Sequence, residues 1–444
     1  MLMLTDLANA DFPLPSFWPR VREFAVPPSM IETATARRTA GDWAGACAAA
    51  GFDVDIDLRR LARTHGRELA HRVRADLRNL APDLLRWHMP RVAPDGLLRP
   101  GLTIALAGYP AASGNPSGGN GFVHLVARTA PAWAESGQRI TLALWDGART
   151  ANGPHPHPRP DRRYRLDLHR HLWDARRADE LGPRSDADGP AERWAAEARI
   201  LLDAEGRQAD TFLLRLGARR RVVAELTEDD DGAPLVRRAA VDPAGGITAL
   251  PVLPDAATWA LPDRELLRAG VLSADQLHPL VAAALVPDRP AGESRWAGAS
   301  SDRERWVRCR GEQHRIGMVD GMLTALDHDP DEIRREELLV ALTGTPLPCL
   351  RAIDQAHRNP DCLTGVRERL DHGDTAGALA VVEGLLGPEA VLRAGALRDE
   401  LEASAHRRVT YGLYRAGLTR LEPCAPAQPR PRDRRAHPRH ATTR

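Results

Sequence analysis

The chain has 444 residues, with 61 cationic side chains against 60 acidic ones and a formal net charge of +1. All 61 cations are Arg and no Lys occurs, which removes the Lys of a phosphate-binding loop, a kinase-type Lys and Schiff-base chemistry on Lys. The near-neutral total excludes a whole-chain attraction to polyanions, while 43% hydrophobic and 27% charged residues fit a globular protein of two or three domains.

Charge is uneven along the chain. Residues 57–100 hold ten Arg and five acids, and residues 421–444 hold six Arg and two acids. Any polyanion contact is expected in those two segments. Cys47, Cys309, Cys349, Cys362 and Cys424 are odd in number and form no Cys-x-x-Cys, the usage of reduced thiols. Asp6 and Asp11 interrupt the apolar start, so it does not read as a signal peptide. No run approaches the roughly 18 apolar residues of a membrane span. The expected location is cytoplasmic, with no membrane partner.

Residues 1–29 are rich in Pro and Phe without periodicity and are expected to form a flexible arm. Met30, directly ahead of a helical pattern, is an alternative start. Residues 30–100 form a helical region. Asp42 is the expected cap of a short helix through Ala50, closed by Gly51. Leu58, Ala62, Leu69, Val73, Leu77 and Leu80 recur mostly at spacings of three, four and seven, the stripe of one longer helix. Pro82 opens another short helix, residues 83–88, which Pro90 ends.

After Gly101 the period falls to two, and residues 101–285 are expected to form a β-rich domain with helices. Residues 102–107, 122–128, 139–145 and 164–172 read as strands, 191–204 as a helix, and 212–216, 221–226 and 234–241 as further strands. Helices over 263–269 and 273–285 follow, the second opened by a Ser273/Gln276 capping box. Residues 286–302 are a Pro/Gly/Ser-rich linker. In residues 303–420 a hairpin turning at Asp320-Gly321 leads into helices, the first entered through Asp329-Pro330. Residues 421–444 read as a disordered basic tail. The fold class is α+β: an N-terminal helical region, a central β-rich domain with flanking helices, and a C-terminal β-hairpin plus helical domain. One internal echo links Gly41-Asp42-Trp43-Ala44-Gly45-Ala46 with Gly373-Asp374-Thr375-Ala376-Gly377-Ala378. Both look like starts of small-residue helices.

Asp167, His169 and His171 form the first candidate site. On a strand these three project from one face, opposite Leu166, Leu168 and Leu172. Mixed imidazole and carboxylate ligands there suit a divalent metal, zinc or ferrous iron. The competing reading is the polar outer face of a half-buried strand. A second candidate is Cys309 with His314 and His328 as thiolate and base, against which a structural Cys is the stronger reading. Alternating acids at Asp53, Asp55, Asp57 and at Asp327, Asp329, Asp331 lack the Gly and Glu of a calcium loop. The Gly-rich stretch 108–121 joins two strands rather than a strand and a helix, so it reads as a loop over a site, not a phosphate cradle. Arg59, Arg60, Arg63, Arg67, Arg72, Arg74 and Arg78 give a basic helix face. Asp57, Glu68 and Asp76 interleave with them, so ion pairs on a solvated surface are preferred over nucleic-acid contact.

These features favour a non-catalytic interaction or regulatory protein whose partner is another protein. Exposed Trp candidates, Trp43 and Trp87, support it. A metal-dependent enzyme using Asp167, His169 and His171 is the first alternative, and an Arg-mediated nucleic-acid binder the second.

Overall fold

The change of hydrophobic period near Gly101 marks the start of a sheet against which the preceding helices pack. The computed structural model describes residues 17–111, 121–134, 137–147, 155–185, 190–206, 210–216, 220–228, 232–239, 246–287, 305–343 and 346–418. It divides the chain into two compact units, residues 1–296 with 414–444, and residues 297–413. The expected linker, basic tail and Gly-rich loop lie largely outside the described residues.

In unit 1, helices α1 (Pro28–Thr39) and α2 (Trp43–Ala49) precede strand β1 (Phe52–Asp55). Region 30–100 is therefore not purely helical. Strand β1 is only four residues long and carries two acids, so it has little local signal. Long-range pairing fixes it: Phe52 lies opposite Ile140 in a parallel ladder, and Arg139 clasps Asp53 through two hydrogen bonds of 2.7 and 2.8 Å. The single helix expected over residues 58–80 is two, α3 (Leu58–His65) and α4 (Arg67–Asn79). Gly66 between them has φ +90°, a left-handed value that interrupts helical bonding. The apolar stripe nevertheless faces inward, with Leu61, Leu69, Val73 and Leu77 all buried.

Helix α5 (Pro82–His88) is buried along its whole length. Trp87 is 1% exposed, which corrects its reading as a surface Trp. A small hairpin of β2 (Arg91–Val92) and β3 (Leu97–Leu98) follows. Strands β4 (Thr103–Pro110), β5 (Phe122–Thr129) and β6 (Ile140–Trp145) then complete a sheet in the order β1-β6-β5-β4. Residues 17–29 are not wholly an arm. Phe17, Val21, Ala25 and Val26 are buried in the same core as α4, α5 and the sheet, because the apolar residues between the prolines form a helical turn rather than an extended tether.

The strand expected over residues 164–172 is absent. Short local bonds replace a ladder: Leu168 N–H reaches Arg165 O at 3.2 Å, His169 N–H reaches Leu166 O at 3.2 Å, and Leu172 N–H reaches His169 O at 3.1 Å. These i to i−3 bonds wind the segment into turns and a 3₁₀ helix over Arg170–Leu172. Helices α6 (Leu181–Ser185) and α7 (Pro190–Ala204) follow. Strands β7 (Thr211–Leu216), β8 (Arg220–Glu228) and β9 (Pro234–Arg238) form an antiparallel sheet. Its core joins Phe212, Leu214 and Ala224 to Trp194, Ala198 and Leu201 of α7. Helix α8 (Pro262–Arg268) matches expectation. Residues 273–285, read as one helix, break into a 3₁₀ turn and α9 (Pro279–Leu285). Pro279 disfavours helical geometry at His278, and the His278 ring accepts from Leu280 N–H at 3.1 Å as a new cap.

Unit 2 opens with the three-stranded sheet β10 (Arg305–Cys309), β11 (Glu312–Val319) and β12 (Met322–Ala325). Asp320 and Gly321, at φ +49° and +75°, make the expected two-residue turn. Helices α10 (Pro330–Thr343), α11 (Pro348–Arg358), α12 (Leu363–His372), α13 (Thr375–Leu386) and α14 (Ala396–Arg415) follow. One core gathers Val366, Leu370, Ala378, Val382, Leu386 and Leu397, and a smaller one gathers Cys309, Ile316, Ala325, Cys349 and Ile353. The whole is an α+β fold, as its sequence indicates. Among the described residues no helix is long and apolar enough to cross a membrane.

The internal echo is a real local motif. Asp42 accepts from Gly45 N–H at 2.8 Å and from Arg37 at 2.9 Å. Asp374 accepts from Gly377 N–H at 2.9 Å and from Arg369 at 2.8 Å. Gly41 and Gly373, at φ +81° and +87°, end the preceding helices. Each copy is a helix-turn-helix corner closed by one Asp.

Candidate functional site

The turns at residues 165–172 bring His169 and His171 together but separate them from Asp167. Both imidazoles are buried, and their ring centroids are 5.7 Å apart. Arg184 of α6 stands between them, donating to His171 Nδ1 at 2.9 Å and to His169 Nδ1 at 3.2 Å. A guanidinium has no acceptor, so each Nδ1 must be the unprotonated nitrogen. Arg184 also donates to both oxygens of Glu197 on α7, at 2.9 and 2.5 Å, and to Leu168 O at 3.0 Å. All five guanidinium donors are thus in use. Asp167 is instead held by Arg165 through bonds of 2.7 and 2.8 Å, and Arg165 reaches Glu205 as well. Among the described residues, the ligand atoms of Asp167, His169 and His171 do not gather within 4.8 Å of one another.

His88, Arg193, Ser185 and Trp259 complete a small cleft with His169, His171, Arg184 and Glu197. Burial, reinforced by the Arg184 charge, holds His169 and His171 well below the usual imidazole range. Burial lowers His88 to about 4, even with Asp263 nearby. All three rings are neutral at physiological pH. The three rings are accordingly weak bases, since burial disfavours their protonated forms.

Behind this cleft the acids are equally engaged. Asp76 accepts from Tyr109 at 2.7 Å, Arg170 at 2.5 Å and Arg176 at 2.8 Å. Asp263, fully buried, accepts from Trp87 Nε1 at 2.7 Å and Arg22 at 3.3 Å, with the Arg22 guanidinium 4.0 Å above the Trp87 ring. Asp83 pairs with His278 at 2.8 Å. None of these partners is close in sequence, which is why spacing alone did not reveal them.

The inward turn of Asp76 changes the basic helices. Asp76 was expected to interleave with the Arg face, and Asp57 instead caps α3 through Arg59 and Arg60 N–H. Arg67, His71, Arg74 and Arg78 follow one another along the exposed side of α4. Among the described residues, Arg67, Arg74 and Arg78 have no carboxylate partner. The expected network of surface ion pairs is therefore not formed there.

Unit 2 holds a different cluster. Ligand atoms of Cys309, His328 and Cys349 lie within 4.8 Å of one another, in a buried setting. The His314 ring stacks on His328 with centroids 4.2 Å apart and planes 11° from parallel. Cys309, His314 and His328 were legible as neighbours in sequence, but Cys349 was not. Strand β10 and helix α11 bring the two cysteines together across a separation of forty positions. Burial and the adjacent Cys309 push the Cys349 thiol up to about 12, which works against a thiolate nucleophile.

Against protein families, curated proteins and solved structures, the chain matches none.

Proposed function

We propose that this is a non-catalytic interaction protein whose partner is an acidic surface of another protein. One observation carries the reading: Asp76 is turned inward and Asp57 caps α3, while Arg67, Arg74 and Arg78 stand exposed on one helix face and, among the described residues, no ion pair joins them to the exposed Glu68 or to any other carboxylate. The eleven helical steps from Arg67 to Arg78 span about 16 Å, enough to match a short row of acidic side chains. Guanidinium is suited to this because it binds carboxylates bidentately. The cleft of unit 1 supports the non-catalytic half of the reading. Glu197 is fully engaged by Arg184, and the surrounding imidazoles are weak bases. The free thiols Cys47, Cys309, Cys349 and Cys362 support a cytoplasmic location.

The same stripe favours nucleic acid as a second reading. A row this short neutralises only about three phosphates, which gives a shallow salt slope and weak binding at physiological salt. Near-neutral net charge adds no further attraction. Fluorescence anisotropy with a labelled poly-glutamate peptide and a labelled DNA duplex separates the two. Binding of the peptide by the full chain, lost in the triple variant Arg67→Gln/Arg74→Gln/Arg78→Gln, supports the first reading. Tighter binding of the duplex supports the second. Unchanged peptide and duplex binding by the triple variant removes both.

A further inference from the structure

We infer that Cys309, His328 and Cys349 of unit 2 are ligands to a tetrahedral, thiophilic divalent cation, which their chemistry identifies as zinc. Two sulfurs and one imidazole suit zinc, whose structural sites use Cys and His in fours. All three potential ligand atoms already lie within 4.8 Å of one another. That is closer than three unrelated side chains need to be, and it places two thiols in hydrogen-bonding contact.

Each ligand is carried by a different element, and each element presents it for a physical reason. Cys309 ends β10 at a tight turn, where Arg310 and Gly311 adopt φ +52° and +94°. Cys349 follows Pro348 in the first turn of α11, which fixes its sulfur against the end of β10. His328 lies between β12 and α10, its side chain 4% exposed. Its Nδ1 is 3.6 Å from Glu332, and its Nε2 is buried without a hydrogen-bond partner. A carboxylate behind one ring nitrogen and a free second nitrogen is the arrangement that orients a metal-binding imidazole. Glu332 is itself held by Arg310, which also reaches Glu336 at 2.5 Å.

The fourth position is beside His314. Its ring stacks on His328, and its Nδ1 is likewise buried with no partner. The His328 nitrogen, buried beside two thiols without a hydrogen-bond partner, has no hydrogen-bonding explanation, and a cation supplies one. The surrounding core is small, formed by Ile316, Ala325 and Ile353 with the two cysteines. Small cores of this kind gain stability from a metal staple. On binding, each thiol releases its proton to solvent and each sulfur donates an electron pair to the cation, with no change of oxidation state.

Metal analysis of the purified full chain is expected to show about one zinc per molecule, retained after gel filtration and released on modification of thiols. Titrating the reduced, metal-stripped full chain with cobalt(II) is expected to give a thiolate-to-cobalt charge-transfer band and the intense visible absorption of a tetrahedral site. Cys309→Ser and Cys349→Ser should each lose these bands, while Cys362→Ser should keep them. Because the first two variants also alter the small core, His328→Gln provides a milder test, with weakened zinc retention and normal circular dichroism. Zinc content near zero with no cobalt spectrum from the reduced protein overturns the inference. So does a Cys309–Cys349 disulfide in protein isolated with thiols blocked at lysis, or an unchanged cobalt spectrum in both serine variants.

Discussion

Arg184 directs its five donors at five acceptor atoms, and no other type of cationic side chain could replace it. Lys has a single ammonium with three donors and no fork, so it cannot hold two imidazoles and both oxygens of Glu197 at once. Arg184→Met leaves the Glu197 carboxylate buried and unpaired, and breaking such a pair costs about 3–5 kcal/mol. Arg184→Lys should be intermediate. Arg268→Ala, which removes an exposed pair with Glu265 at 3.0 Å, should shift stability by less than about 0.5 kcal/mol. Urea denaturation of the three variants checks the order. Equal losses for Arg184→Met and Arg268→Ala would show that the hub is not a unit.

At the scale of elements, the Asp corner recurs in sequence and closes in the same way in both copies. A Cβ added at Gly45 would stand 1.9 Å from Asp42 Oδ2, and one at Gly377 would stand 2.1 Å from Asp374 Oδ2. Gly45→Ala and Gly377→Ala should therefore displace the capping carboxylate and cost about 1 kcal/mol each, the usual value of a lost cap. Gly365→Ala, where nothing lies within 4 Å, should be neutral or slightly stabilising. Differential thermal melts of the three variants test this ranking. Helices, hairpins and caps were visible in the sequence because their determinants are close in the chain: the Asp320-Gly321 turn, the apolar stripe of α4, and the Asp42 cap all needed ten residues or fewer. Strand β1 was not visible, since Phe52 and Ile140 are joined only in the folded sheet. Asp167, His169 and His171 were singled out together from their spacing, but the placement of the two rings depends on Arg184 of α6 and that of Asp167 on Arg165. The Cys349 sulfur joins Cys309 through the packing of α11 on the hairpin, again beyond the reach of spacing.

For the whole molecule, burial of titratable groups sets a pH window. Folded His88 and His155 titrate at about 4, against a usual imidazole value of 6.5, because burial disfavours their charged forms. Below pH 6.5 the unfolded chain takes up protons that the folded chain refuses. Each such group removes up to about 1.4 kcal/mol of stability per pH unit until its folded value is passed. Burial also raises Cys47, Tyr164 and Tyr414 to about 12. Above pH 9 for the thiol and pH 10 for the phenols, the unfolded chain releases protons that the folded chain keeps, so stability falls again. Urea midpoints at about pH 5, 7.5 and 10.5 should be highest at the middle value. A midpoint that rises from pH 7.5 to 5 would contradict the buried, neutral imidazoles.

The two Asp corners have one more consequence, for the order in which the chain folds. Each closes within ten consecutive residues, from Arg37 to Gly45 and from Arg369 to Gly377, so its loop-closure entropy is small. The β1 to β6 ladder must instead close a loop of 88 positions between Phe52 and Ile140, a slower event. The corners are thus the natural early landmarks, fixing helix directions in each unit before the distant strands meet.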